Sequence, residues 1–265
     1  MKDIVLPNGL KIFHLNSNET SFLYQEIFQD AFYLKHGITV TPEDIVFDVG
    51  ANIGLFSIWL HQQYPGVRIY AFEPIPDVYQ VLASNFASLG IGGKAMDCAL
   101  ADKPATVQFT YYPNNSVMSG RYARPAEDSL VTSAFMNNKN PAFAEAAKKD
   151  PKWMRHTEML LASLFEEKTA LCNVRTVSDI IREEKLSRID LLKVDVEKSE
   201  HEVLAGIAAS DWPKIHQLVL EVHDISGRVE ALSKKLTDLG YTVYTEQDPM
   251  MKNTPIFSIY ARRLS

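Results

Sequence analysis

Cysteine is nearly absent: Cys98 and Cys172 are the only two in 265 residues, and neither sits in a C-x-x-C pair. Two thiols so placed exclude a disulfide framework and a thiol-based metal or redox motif. H-x-H and paired-histidine patterns are missing as well, which argues against zinc or iron. No stretch approaches the roughly 20 apolar residues needed to cross a bilayer, and the amino terminus has no basic-then-apolar leader. No membrane association is therefore expected, and the chain reads as a cytoplasmic enzyme. Basic residues form no stripe, and 27 Lys and Arg against 33 Asp and Glu leave a net charge of -6. Nucleic acid is a poor partner for such a surface. What remains is ordinary globular composition, 46% hydrophobic and 23% charged. The length suits one catalytic domain spanning 1–265, a single core with room for an insertion.

The most telling segment is Val46-Phe-Asp-Val-Gly-Ala-Asn-Ile-Gly54, followed by Tyr70-Ala-Phe-Glu-Pro74. An apolar run ends at Asp48, a glycine turn opens an amphipathic stretch from Leu55 to Tyr64, and Glu73 closes a second apolar run. This is the layout of a nucleoside-binding βαβ unit, in which an acid after the second strand holds the ribose hydroxyls. A dinucleotide site needs a middle glycine beside the pyrophosphate, and Asn52 occupies that position. The turn therefore suits a nucleoside without phosphates, with S-adenosylmethionine (SAM) ahead of NAD.

Residues 1–43 form an amino-terminal extension, with Leu6-Pro-Asn-Gly9 as a turn between short strands and a helix expected over Ser21–Lys35. Strands are expected at Ile45–Val49, Val67–Phe72, Lys94–Leu100, Ala105–Tyr112, Ile189–Val196 and Gln217–Val222, with helices between them. Tyr241–Thr245 and Ile256–Ala261 read as a closing strand pair. Such alternation predicts an α/β, doubly wound, mostly parallel sheet of Rossmann-like type. Residues 113–172 break the rhythm. Their length predicts a helical insertion placed as a lid over the active site.

Two later strands carry unusual charge. In Leu191-Leu-Lys-Val-Asp-Val-Glu197, alternation puts Lys193, Asp195 and Glu197 on one side; Leu218-Val-Leu-Glu-Val-His223 adds Glu221 and His223. Charges on buried strands are costly unless paired or used, so these residues are candidates for catalysis at a shared rim. His223 is the expected general base, with Glu197 holding its ring. Lys193 with Glu221 could instead be a structural ion pair. The oxygen donors would admit Mg²⁺, but no metal is favoured.

With these motifs in hand, the chain resembles the FkbM family of SAM-dependent methyltransferases, over about residues 40–110 and 170–265. The Lys-x-Asp-x-Glu strand at 193–197 carries that likeness most specifically. The resemblance implies a class I methyltransferase fold and O-methylation in specialised metabolism. It also implies Asp48, Gly50, Asn52 and Gly54 around the methionine moiety, Glu73 on the ribose, and Asp97 and Cys98 near adenine. The family strand commonly continues with glycine, where Lys198 stands here. Leu6–Gly9, Tyr24–Phe28 and Asn115–Gly120 further resemble methyltransferase domains of polyketide and nonribosomal peptide assembly lines. That likeness implies Tyr24, Glu26 and Ser119 about the cofactor, and a small-molecule acceptor tethered to an acyl or peptidyl carrier protein. A free small-molecule or sugar hydroxyl is the alternative acceptor, and an NAD-dependent oxidoreductase the alternative enzyme class.

Overall fold

The computed structural model describes residues 1–29, 32–142, 145 and 151–263. The chain opens with an antiparallel hairpin, β1 (Lys2–Val5) and β2 (Lys11–His14), turned at Leu6–Gly9 as expected. Helix α1 (Ser17–Tyr24) follows, with the Asn16 side chain accepting from the amides of Asn18 and Glu19 at its start. It then widens into a π-turn over Gln25–Gln29. The single helix expected over Ser21–Lys35 is therefore corrected: it starts earlier and changes pitch. The wider turn leaves Ile27 buried in the core and Glu26 on a cavity wall.

The central sheet begins at β3 (Ile45–Val49), buried on both faces as parallel strands are. Helix α2 (Leu55–Gln63), β4 (Arg68–Phe72), α3 (Pro76–Leu89) and β5 (Gly93–Met96) continue in right order, with Pro76 in the first turn of α3. The strand expected over Lys94–Leu100 splits in two. After Met96 the chain leaves the large sheet, and β6 (Ala99–Leu100) enters a small second sheet with β7 (Ala105–Tyr111) and β8 (Lys168–Arg175). Ala99 and Leu100 pair with Val174 and Arg175 of β8 there.

Between β7 and β8 lie α4 (Pro125–Lys139) and a helix over Pro151–Leu164. The insertion is thus partly helical, although its last expected residues belong to β8. Residues 143, 144 and 146–150 of the expected insertion lie outside the described residues.

Three more strands finish the large sheet: β9 (Leu191–Val194), β10 (Gln217–His223), and the closing antiparallel β11 (Thr242–Glu246) with β12 (Ile256–Arg262). The order is β11-β12-β10-β9-β3-β4-β5, parallel from β10 to β5. One apolar cluster packs the hairpin, α1, α2 and α3 on one face; the other packs helices Val177–Glu183, Glu200–Ala205 and Arg228–Asp238 opposite. The chain leaves β3 towards β4 on one side and returns to β9 on the other. That reversal opens a crevice at the carboxyl ends of β3 and β9, where ligands of doubly wound sheets bind. Among the described residues, no helix is long and apolar enough to cross a membrane.

Candidate active site

Gly50 sets the floor of that crevice. Its φ is +78°, and a Cβ there would meet the Asp195 carbonyl oxygen at 1.7 Å. Only glycine fits, because the turn after β3 lies directly against the chain leaving β9. The amides of Gly50 and Ala51 donate to the carbonyl of Phe72, which ties this turn to the end of β4.

Glu73 follows at once. It is 6% exposed, and its carboxylate accepts from the amides of Asn52 (3.1 Å) and Ile75 (2.9 Å). Burial outweighs those two bonds and pushes its pKa up to about 7. A carboxyl so held can accept bonds from a pair of vicinal hydroxyls. Asn52 takes a left-handed φ of +50° and donates through Nδ2 to the Ser116 hydroxyl at 2.8 Å. Ser116 is bonded in turn to Glu19 of α1, through both its amide and its hydroxyl. The amino-terminal extension, the loop after β7 and the glycine turn are thereby joined in one network.

These groups border a cavity of about 480 Å³. Its wall brings together Gly50, Asn52, Glu73, Glu26 and Ser119 with Lys193, Asp195, Glu197 and Glu221. Apolar side chains of α1 and α4, notably Phe22, Val131, Phe135 and Met136, complete it on the insertion side.

Other expected residues stand outside that wall. Asp48 is fully buried in β3, where it accepts from the Ser57 hydroxyl at 2.7 Å and faces Lys193. Gly54 caps α2 with a φ of +92°. Tyr24 stacks on Phe28 at 4.5 Å in the core. Asp97 and Cys98 border a separate depression between β5 and the small second sheet, because the chain has already left β5; Ala99, Leu100 and Ala101 border the main cavity.

The charged strand converges as its alternation implied, although regular pairing stops at Val194. Lys193 does not pair with Glu221. Its ammonium lies 3.1 Å from Asp48 and 3.4 Å from Asp195, and donates to the Gly50 carbonyl at 3.0 Å. Burial alone would depress this ammonium; the two carboxylates reverse that and hold it above its ordinary value. Asp195 accepts in addition from the Tyr33 hydroxyl at 3.0 Å.

Glu197 and Lys198 then take left-handed φ values of +49° and +73°. Those turns bring Glu197 against His223, with Oε2 3.2 Å from Nε2, an ion-pair contact not aligned as a hydrogen bond. The opposite ring nitrogen, Nδ1, donates to Glu200 at 3.0 Å, and Arg228 holds the far oxygen of Glu200 at 3.0 Å. His223 is 1% exposed and stands behind the cavity wall; Glu197 is the member of the pair on it. Burial disfavours the imidazolium, but Glu197 and Glu200 overcome this and hold His223 well above its ordinary pKa. Glu197 is itself raised by burial, with His223 opposing. Lys198 reaches the other way, to Asp128 of α4 at 2.5 Å.

Asp195, Glu197 and Glu221 bring one oxygen each to within 4.8 Å of one another. Lys193 and His223 already face two of the three, and we assign no metal to the cluster. Glu19 and Tyr33 are cavity-lining residues the sequence did not reveal; both lie in the amino-terminal extension, on either side of Tyr24–Phe28.

The profile described as Methyltransferase FkbM domain matches residues 48–243. The 31-O-demethyl-FK506 methyltransferase FkbM of Streptomyces tacrolimicus is 39% identical, over 99% of both chains. The AMB antimetabolite synthetase AmbE of Pseudomonas aeruginosa is 34% identical over 98% of this chain, which corresponds to 12% of its own length. A crystal structure titled Methyltransferase FkbM from Methylobacillus flagellatus KT shares the fold, at TM-score 0.50 and 16% identity, over 86% of this chain and 46% of that one. The chain belongs to the FkbM methyltransferase family.

Proposed function

We propose that this methyltransferase uses SAM to methylate a hydroxyl of a polyketide- or peptide-type intermediate in specialised metabolism. One observation carries the reading: Glu73, an acid suited to a ribose diol, and Glu197, an acid backed by a cation, face the same cavity. The residues fit the cofactor. Glu73 would hold the ribose, the turn Gly50–Asn52 would bound the methionine end, and Ala99–Ala101 would border the base. When bound, SAM supplies a methyl group already activated on a sulfonium.

The chain's own task is alignment and proton removal. Alignment of reacting groups contributes up to about 7–11 kcal/mol. A positioned base contributes a further ~10²–10⁴-fold, and Glu197 is the group placed to take the hydroxyl proton. His223, expected from the sequence to be that base, serves here as the charged support behind Glu197. The insertion helices act as the lid, with α4 over the acceptor end.

The likeness to a synthetase supports an acceptor tethered to a carrier protein. The full-length likeness to a 31-O-demethyl-FK506 methyltransferase supports a second reading, a free acceptor. Incubation with SAM and one hydroxyacyl chain, both carrier-bound and free, followed by mass spectrometry, separates the two. A methyl gain on the tethered chain alone supports the first reading, and gain on the free chain the second. Calorimetric titration with NAD and SAM tests the enzyme class: binding of NAD alone would end the methyltransferase reading.

A further inference from the structure

Glu221 is the acid on the cavity wall without a counterpart. Asp195 has Lys193 and Tyr33, and Glu197 has His223. The Glu221 side chain makes no hydrogen bond or ion pair among the described residues. The groups around it are mostly of its own sign: Asp195 and Glu197 from the end of β9, and Glu26 from the π-turn. His223, two residues along β10, acts against them, while Lys193 is already engaged by Asp48 and Asp195. The Tyr33 phenol donates to Asp195, and the strand partner across β12 is the neutral Ser258.

The cluster at the carboxyl ends of β9 and β10 thus holds three acids, of which Asp195 and Glu197 each face a cation and Glu221 pairs with none among the described residues. Resting on the donor reading above, we infer that Glu221 carries a proton in the free enzyme and releases it when the SAM sulfonium enters. The enzyme thereby selects the charged donor over its neutral product, S-adenosylhomocysteine. The charge balance closes: the carboxyl loses a proton to the buffer, and the sulfonium brings the positive charge that replaces it. Donor and product share the adenosine, amino and carboxylate groups. They differ by one methyl and one positive charge, so only the donor neutralises a newly formed carboxylate. Burial, followed by Asp195, Glu26 and Glu197, holds the Glu221 carboxyl well above its ordinary value, in keeping with a protonated resting state. Donor affinity then rises with pH until the free enzyme has itself lost the proton. Product affinity has no such dependence on this group.

The test is isothermal titration calorimetry of the full chain with each nucleoside, in buffers of differing ionisation heat near neutral pH. SAM should release about one proton more than S-adenosylhomocysteine, because any proton that Glu73 gives up to the shared ribose is released with both. In Glu221→Gln, that excess should vanish and SAM binding should weaken roughly tenfold, with product binding retained as proof of folding. Glu221→Asp, which keeps the acid, should keep the release. Equal proton release for both nucleosides, or undiminished release by SAM in Glu221→Gln, would overturn the inference. Failure of the wild type to bind either nucleoside would instead overturn the donor reading on which it rests.

Discussion

The Nε2 atom of His223 lies 3.2 Å from Oε2 of Glu197, and only Glu197 of the pair borders the cavity. A second carboxylate, Glu200, takes the remaining ring nitrogen. An imidazole gripped by two acids and held above its ordinary pKa is a source of positive charge, whereas a base must arrive unprotonated. Its effect falls on Glu197, a buried acid that the neighbouring cation keeps more readily ionised.

His223→Gln should therefore lower kcat and move its pH profile. Glu197 works when ionised, so activity is present above its pKa. Without the imidazolium, burial raises that pKa further, and the rising limb of kcat shifts to higher pH. SAM affinity, measured by calorimetry, should change little. A profile that stays in place would separate His223 from the tuning of Glu197.

Glu73 illustrates a conflict between stability and function. Its pKa is raised from 4.5 to about 7, so the folded protein resists ionising it. For an acid raised in this way, stability is lost as pH rises from 4.5 towards 7 and stays lost above. At about 1.4 kcal/mol for each tenfold change, the loss is on the order of 3 kcal/mol. Glu73→Gln removes the ionisation, at the cost of one of the two amide bonds, so the ligand-free variant should no longer lose stability between about pH 5 and 8 in urea unfolding. The same change should weaken SAM binding by about tenfold or more, through the lost charge-assisted bonds.

Lys198 sits where the family strand commonly has glycine, and its backbone keeps the φ of +73° that glycine adopts freely. Its ammonium compensates by neutralising Asp128 of α4, which is buried and also accepts from the Tyr112 hydroxyl at 3.0 Å. Both Lys198→Ala and Lys198→Gly strand that carboxylate. Glycine alone relieves the backbone, so Lys198→Gly should be more stable than Lys198→Ala by about 1–2 kcal/mol in urea unfolding.

Chelation provides a further check. Lys193 and His223 supply the positive charge for Asp195 and Glu197, so turnover with EDTA should equal turnover without it. A loss restored by Mg²⁺ would place a cation among Asp195, Glu197 and Glu221.

The sheet and the glycine turn after β3 were legible because their signals are local. Apolar runs, the Gly50 turn and the spacing to Glu73 each lie within one βαβ unit. Partners set by tertiary packing were not legible. Lys193 finds Asp48 directly across the β3–β9 register, a pairing that alternation within one strand cannot reveal. Asp97 and Cys98 border a depression apart from the main cavity, and nothing in their sequence marks the exit from the sheet at Met96. Alternation put Glu197 and His223 at one rim, but left-handed turns at Glu197 and Lys198 fix which of them faces the cavity. Tyr33 and Glu19 carried no signal, since a tyrosine or glutamate in an amphipathic stretch is ordinary.

The most direct test of the account is single-turnover methyl transfer by Glu197→Gln, followed by mass spectrometry with methyl-labelled SAM at saturation. Glutamine keeps the shape but cannot accept the proton, so transfer to the acceptor hydroxyl should slow by about 10²–10⁴-fold even with SAM bound to saturation. Transfer at the wild-type rate in that variant would contradict the assignment of Glu197 as the proton acceptor.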